Sequence, residues 1–303
     1  MIGKVISCSG GLYTVVSENV KYPCRARGIF RKDELKVVAG DDVELSRSSE
    51  GTYSIDAVLP RRNLLIRPPL ANLDVIFVCV APRSPEYDPL ITDKLITIAE
   101  FNKIRPVVVV TKCGKDKEKA DSIASVYRKC GFDVFVTDSK EDIGIGELKE
   151  YISQSCTDEL CAMAGVSGVG KSTLLNRLFP SLNARTGEIS GRIQRGKNTT
   201  RMTELFPFGE ISDISGNGYF ADTPGFSSID FVHFNFYEKE DLPFVFREFE
   251  PYLAKCRYTK CTHLKEEGCA IIEAVENGEI PRSRHDSFVA IYGEVKDKHS
   301  WDR

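Results

Sequence analysis

Gly165, Val166, Ser167, Gly168, Val169, Gly170, Lys171 and Ser172, followed by Thr173, spell G-x-x-x-x-G-K-[ST] without a mismatch. Glycines in that arrangement let successive backbone N–H groups turn inward on a phosphate, and the next helix offers its positive N-terminal end. Lys171 is then placed to reach β- and γ-phosphates, and the Ser172 hydroxyl to coordinate Mg²⁺. The apolar run "ELCAMA" ahead of the loop reads as its feeding strand, and "KSTLLNRLFP" as the helix that leaves it. The chemistry this predicts is the gripping of a nucleotide's phosphates.

About fifty residues on, "ADTPG" sets Asp222 at a strand end with Gly225 three residues later. Such an Asp suits a Mg²⁺-linked carboxylate, and the glycine N–H suits a sensor of the γ-phosphate. Between the two motifs lies "RGKNTTR", where Thr199 or Thr200 can complete the Mg²⁺ shell; Thr200 is the expected ligand. Phe226 follows Gly225, where many GTPases carry a Gln that orients the attacking water. An apolar ring cannot do that, so slow intrinsic hydrolysis and a site completed by a partner are expected.

A GTPase also needs a guanine reader, normally N/T-K-x-D, at the end of another parallel strand. In this chain "VVVVTKCG" offers Thr111, Lys112, Cys113 and Gly114, upstream of the phosphate loop. Ser139 and Lys140, after "FDVFVT", fit the second base-contacting loop. Base readers therefore come first, the phosphate loop second and the switch segments last, the order G4-G5-G1-G2-G3. That is the order of a circularly permuted domain.

A third cluster lies near the end. "CRYTKCTHLKEEGC" holds Cys256, Cys261, His263 and Cys269, a C-x4-C-x-H-x5-C spacing. Three thiolates and one imidazole make a closed tetrahedral set, which predicts one structural zinc ion rather than a catalytic one.

The elements that must position these residues can be read from the pattern. Residues 1–68 break into short runs such as "LYTVVS" and "DVEL" separated by Gly and Ser, which predicts a small antiparallel barrel or sandwich. "RPP" at Arg67 to Pro69 reads as a linker, since two prolines cannot continue a ladder. From Asn72 strand and helix alternate: "NLDVIFVCVA", "LITDKLITIAEFNK", "RPVVVVTK", "KDKEKADSIASVYRKCG", "FDVFVT". That alternation predicts an α/β fold around a parallel sheet, over residues 69–230. Residues 231–303 read as helical and carry the cysteine cluster.

Composition is that of a soluble protein: 303 residues, 42% hydrophobic, 28% charged and a formal charge of −3. That charge excludes a generic basic coat for nucleic acid, so any RNA contact must come from local patches. "RARGIFRK", Arg25 to Lys32, is one such patch, reading either as an RNA-binding face or as a solvated strand. No run approaches a membrane span, and the start has no uninterrupted apolar leader, so a cytoplasmic protein without a membrane partner is expected. Seven scattered cysteines, Cys8 to Cys161, are expected to be buried thiols.

With these motifs in this order, the chain resembles the small-ribosomal-subunit-dependent GTPase A family over essentially its whole length. The resemblance implies an N-terminal OB-type barrel, a circularly permuted P-loop GTPase domain and a C-terminal helical zinc-binding domain. It implies a monomer that hydrolyses GTP to GDP under stimulation by the small ribosomal subunit, assists late subunit maturation, and touches rRNA with barrel and zinc module. It also suggests that His233 orders the attacking water, as a histidine there does in some relatives; the bland reading is a structural histidine. One position departs from the family, which has an acid where this chain has Gly114. That carboxylate would accept two hydrogen bonds from the guanine edge. Asp116 can reach the same place if Gly114 lets the loop bulge. Two other readings stay open on these residues: an RNA-binding module that responds to nucleotide with little turnover, and a P-loop NTPase with relaxed base preference.

Overall fold

A computed structural model describes residues 1–27, 36–48, 51–66, 68–182, 203–214, 216–222 and 238–296. The chain divides into two compact units, each assembled from three stretches. One takes Met1–Ile76, Glu147–Met163 and Ser172–Ser227; the other takes Phe77–Gly146, Ala164–Lys171 and Ser228–Arg303.

The first unit contains the barrel. Strands β1 (Ile2–Ser9), β2 (Leu12–Ser17), β3 (Val20–Ala26), β4 (Asp42–Arg47) and β5 (Tyr53–Val58) pair in the ring β1-β2-β3-β5-β4-β1. The expectation of an all-antiparallel arrangement fails at one seam, because β3 and β5 run parallel. Parity requires it: five strands closed into a ring cannot alternate direction all the way round. The ring encloses Val5, Val15, Cys24, Val43, Leu45 and Ile55, an OB-type barrel core.

Of the stretch read as a linker, Arg67 lies outside the described residues and Pro69 opens a strand, β7 (Pro69–Ala71), which pairs antiparallel with β6 (Leu64–Ile66). Pro69 occupies the first position of its strand, where a missing N–H costs no ladder bond. Buried Asn72 then ties the barrel to the next segment. Its Nδ2 donates to Gly40 O at 2.9 Å and its Oδ1 accepts from Arg62 N–H at 2.9 Å.

The same unit holds α3 (Ile145–Ser155, from Glu147), β11 (Leu160–Ala164, to Met163), α4 (Lys171–Leu178, from Ser172), β12 (Glu204–Pro207), α5 (Phe208–Ile211) and β13 (Tyr219–Asp222). β11 and β13 are parallel, as a βαβ pattern demands. β12 lies antiparallel to β13 and also meets β1 of the barrel at Ser7↔Glu204. This strand went unread in the sequence because it spans only four residues and ends in Pro207.

In the second unit β9 (Arg105–Val110) lies between β10 (Asp133–Val136) and β8 (Val75–Val80, from Phe77), with β9 and β10 parallel. Every residue of β8 is buried, which is why it reads as a continuous apolar run. Helix α1 (Pro89–Phe101) starts where Asp88 accepts the Leu90 N–H, with Pro89 at the first helical position. Helix α2 (Lys117–Lys129) starts where Asp116 accepts the Lys119 N–H.

The C-terminal part begins with two 3₁₀ turns, Leu242–Val245 and Arg247–Tyr252, where a helix was expected; Pro243 and Pro251 interrupt the α-helical ladder. Helices α6 (Ala270–Glu276) and α7 (Arg282–Val295) follow, and α7 packs along α1. Phe246 stacks on Phe249 and both meet Phe288 edge-to-face, at centroid separations of 5.1–5.5 Å, to form its core. Arg284, fully buried, donates to Asp93 at 2.5 Å and to Glu248 at 2.6 Å, and lies 4.6 Å from the Phe246 centroid.

Candidate nucleotide site and metal centre

Gly165 carries φ +140°, and a Cβ there would stand 2.3 Å from the Cys79 carbonyl oxygen, so only glycine lets the loop pass so close to β8. Gly170, at φ +112°, makes the final inward turn before α4. The Lys171 ammonium donates to Gly165 O at 2.7 Å and Val166 O at 3.0 Å, held over the loop by the loop's own carbonyls. Burial draws it below the usual lysine range. Ser172 and Thr173 are exposed at the start of α4. Asp222 ends β13. Thr199, Thr200, Gly225, Phe226 and His233 lie outside the described residues, as does most of the basic patch at 25–32.

The segment read as the first base loop meets the segment read as the phosphate loop directly. Thr111 Oγ1 donates to Val169 O at 2.6 Å, and its N–H donates to Val80 O at 2.7 Å. Lys112 adopts a left-handed φ of +53° and sends its ammonium to Gly168 O at 2.5 Å and Ser84 O at 2.7 Å. Burial, with Lys115 and Lys140 nearby, lowers its pKa. Cys113 donates its N–H to Thr137 O at 3.1 Å, which brings the turn Cys113–Lys115 against the loop carrying Ser139 and Lys140. Thr111, Lys112, Gly168 and Val169 are thus one cluster, with Gly114 and the second base loop alongside.

Asp116 is not beside that loop in the role the sequence suggested. One of its oxygens caps α2 by accepting the Lys119 N–H at 3.1 Å, and the other accepts from Arg83 Nε at 2.8 Å. Both contacts hold its carboxyl below the usual range. The residue that does touch Gly114 is Asp138, which the sequence reading passed over. Its Oδ2 accepts the Gly114 N–H at 3.0 Å and its Oδ1 accepts the Lys140 N–H at 2.9 Å. Burial pushes this carboxyl up, but the N–H groups of Lys140, Gly114 and Glu141 outweigh it and leave it below the usual range. The available signal was an acid at a strand end, directly before Ser139.

At the C-terminal end, the ligand atoms of Cys256, Cys261, His263 and Cys269 all lie within 4.8 Å of one another. Cys256 and Cys269 Sγ are 3.8 Å apart, and His263 Nδ1 stands 3.6 and 3.4 Å from them. A tetrahedron with metal–sulfur bonds of ~2.3 Å has sulfur–sulfur edges of about 3.8 Å. The donor set and its spacing fit a metal such as zinc. Burial pushes the Cys261 thiol up to about 12 and draws His263 below its usual value. His285 Nε2 donates to the His263 carbonyl at 2.8 Å, fixing that residue's backbone from outside the cluster.

Comparison with known proteins agrees with this layout. The family description "RsgA GTPase" matches residues 58–232, and "RsgA N-terminal domain" matches residues 2–54. The chain belongs to the RsgA GTPase family. "Small ribosomal subunit biogenesis GTPase RsgA" of Caldanaerobacter subterraneus subsp. tengcongensis is 38% identical over 297 residues, covering 98% of this chain and 96% of the relative. The protein of the same name from Geobacillus kaustophilus is 37% identical, covering 98% of each chain. Among solved structures, YjeQ from Thermotoga maritima superposes with TM-score 0.80 at 33% identity, over 98% of this chain and 99% of that one. YloQ, described as a circularly permuted GTPase, gives 0.77 at 31% identity, over 98% and 96%. RsgA membership accounts for the order of the loops: the chain is a permuted P-loop GTPase with an OB-type barrel ahead of it and a Cys/His cluster behind. Among the described residues no helix is long and apolar enough to cross a membrane.

Proposed function

We propose that this protein hydrolyses GTP to GDP and phosphate on the small ribosomal subunit and assists the subunit's late maturation. The observation that carries the reading is the clamp between base and phosphate loops, Lys112 to Gly168 and Thr111 to Val169, in a chain 38% identical over nearly its full length to a protein named for that task. In this reading residues 1–68 and the zinc module of 231–303 contact rRNA, residues 69–230 turn over nucleotide, and the protein works as a cytoplasmic monomer.

Gly165–Thr173 hold the phosphates. Lys171 neutralises the β- and γ-oxygens, and Thr111, Lys112, Cys113, Gly114, Ser139 and Lys140 surround the base. Ser172, Thr200 and Asp222 offer hard oxygen donors suited to Mg²⁺, which when bound spreads the charge developing on the transferred phosphoryl group. Gly225 senses the γ-phosphate. Because Phe226 cannot orient water, the subunit supplies or orders the missing group, with His233 as the chain's own candidate. Cys256, Cys261, His263 and Cys269 hold one structural zinc.

The deciding experiment is GTP turnover with purified small subunits added stepwise. Turnover should be slow alone and climb to saturation with subunit. A protein that binds GTP yet shows no change in turnover at saturating subunit would overturn the reading.

A further inference from the structure

Guanine presents two adjacent donors, the ring N1–H and the 2-amino group, and a carboxylate is the acceptor pair that matches them. Adenine has an acceptor at N1 and no 2-amino group, so the same carboxylate repels it. The position at which an acid is expected for this task is Gly114, which has no side chain.

The space beside Gly114 is filled from elsewhere. A Cβ placed on Gly114 would stand 2.9 Å from Asp138 Oδ2 and 3.7 Å from its Cγ. The carboxylate of Asp138 therefore sits within the reach that an acid at position 114 would have. We propose that Asp138 is the guanine-reading carboxylate of this protein, moved from the first base loop to the second, and that Gly114 is the vacated room that lets it in. This rests on the assignment of Thr111, Lys112, Ser139 and Lys140 to the base site.

Three observations support the exchange. Asp138 is only 6% exposed, and it is aimed at the Gly114 turn by backbone N–H groups rather than by a cation. Those donors, from Gly114 to Oδ2 and from Lys140 and Glu141 to Oδ1, fix the carboxylate plane and keep it ionised. Of the roughly four acceptor sites of a carboxylate these donors take three, which leaves one, on Oδ2, for a guanine donor. The competing acid, Asp116, has both oxygens committed to the α2 cap and Arg83. Glu141, whose Cγ lies 3.8 Å from the same Cβ position, is exposed and serves as the control.

The test measures affinities of the full-length protein for GDP, IDP, XDP and ADP by calorimetry. Inosine lacks the 2-amino group, and xanthine replaces it with a carbonyl. Wild type should prefer GDP to both IDP and ADP. Asp138→Ala should weaken GDP by roughly 10- to 100-fold and close the GDP-to-IDP gap, while ADP affinity holds and so reports an intact phosphate loop and fold. Asp138→Asn should lose GDP and gain XDP, because the amide now donates to the 2-carbonyl. Gly114→Asp alone should weaken GDP by crowding two carboxylates, yet restore guanine preference when combined with Asp138→Ala. Glu141→Gln should leave the ratios unchanged. A wild type selective for GDP whose Asp138→Ala variant keeps the GDP-to-IDP gap would overturn the proposal and leave the base-site assignment standing. A wild type that binds GDP and ADP equally would overturn that assignment, and the proposal with it.

Discussion

Lys112 places its ammonium 2.5 Å from the carbonyl oxygen of Gly168, joining the turn after β9 to the glycine-rich loop before α4 across 56 residues of chain. The bond exists because Lys112 accepts a left-handed backbone, which turns its side chain back over the loop. A contact between two segments proposed to bind one ligand should matter to any nucleotide, whatever its base. Lys112→Met is expected to weaken GTP and ATP together by roughly tenfold, as loss of a charged hydrogen bond would. Calorimetry with both nucleotides checks it; a loss confined to GTP would mean the clamp is not what holds the loops.

The Lys171 ammonium donates to the loop's own Gly165 and Val166 carbonyls, so it can be removed without opening the core. Lys171→Ala should abolish triphosphate turnover and leave the melting temperature within a few degrees of wild type. A folded variant with normal turnover would sink the phosphate-loop assignment.

Asp116 gives a contrasting outcome to Asp138. Asp116→Ala should cost about 1 kcal/mol of stability through the lost α2 cap and leave the GTP-to-ATP affinity ratio as it was. A narrowed ratio would return the base-reading role to Asp116.

These two acids mark where the sequence was legible and where it was not. The loop Gly165 to Ser172 stood out at once, because its glycines fall at fixed intervals, and Gly165, Gly168 and Gly170 do take the positive φ that a tight strand-to-helix loop demands. The clustering of the Cys₃His set was equally legible, since all four donors lie within fourteen residues, and their ligand atoms do come within 4.8 Å of one another. Asp116 looked like the missing acid because it is near Gly114 in sequence, but a helix start claimed it. Asp138 is 24 residues from Gly114 and adjacent to it only through the β9–β10 pairing, a relationship that no local motif carries. The barrel's parallel seam and the Pro69 hairpin were missed for a similar reason: ring closure and strand-end position are properties of pairing.

The cluster of Cys256, Cys261, His263 and Cys269 belongs to the same compact unit as β9, α1 and α2. Chelation, or Cys261→Ala, should therefore lower the temperature of that unit's unfolding as a whole, and purified protein should carry close to one equivalent of zinc. Scanning calorimetry with and without chelator reads it. A small, separate early transition with the main one unmoved would show that the cluster supports only itself.

Arg284 tests the join between α1 and α7. Removing one partner of a buried ion pair costs about 3–5 kcal/mol, since the other charge is left unpaired. Arg284→Met should show a loss of that order in urea unfolding. Adding Asp93→Leu should recover part of it, and a double variant no better than the single would argue against the pair as the cause.

That join also governs how the protein can be taken apart. A chain cut short at residue 230, where the sequence turns from α/β alternation to helices, would keep Asp93 and delete the Arg284 cation that neutralises it. Tyr127, whose hydroxyl donates to the same carboxylate, would lose the wall it is sealed behind. The C-terminal quarter is thus a foundation for α1 and α2 rather than an appendage, and a minimal GTPase cut from this chain has to retain it.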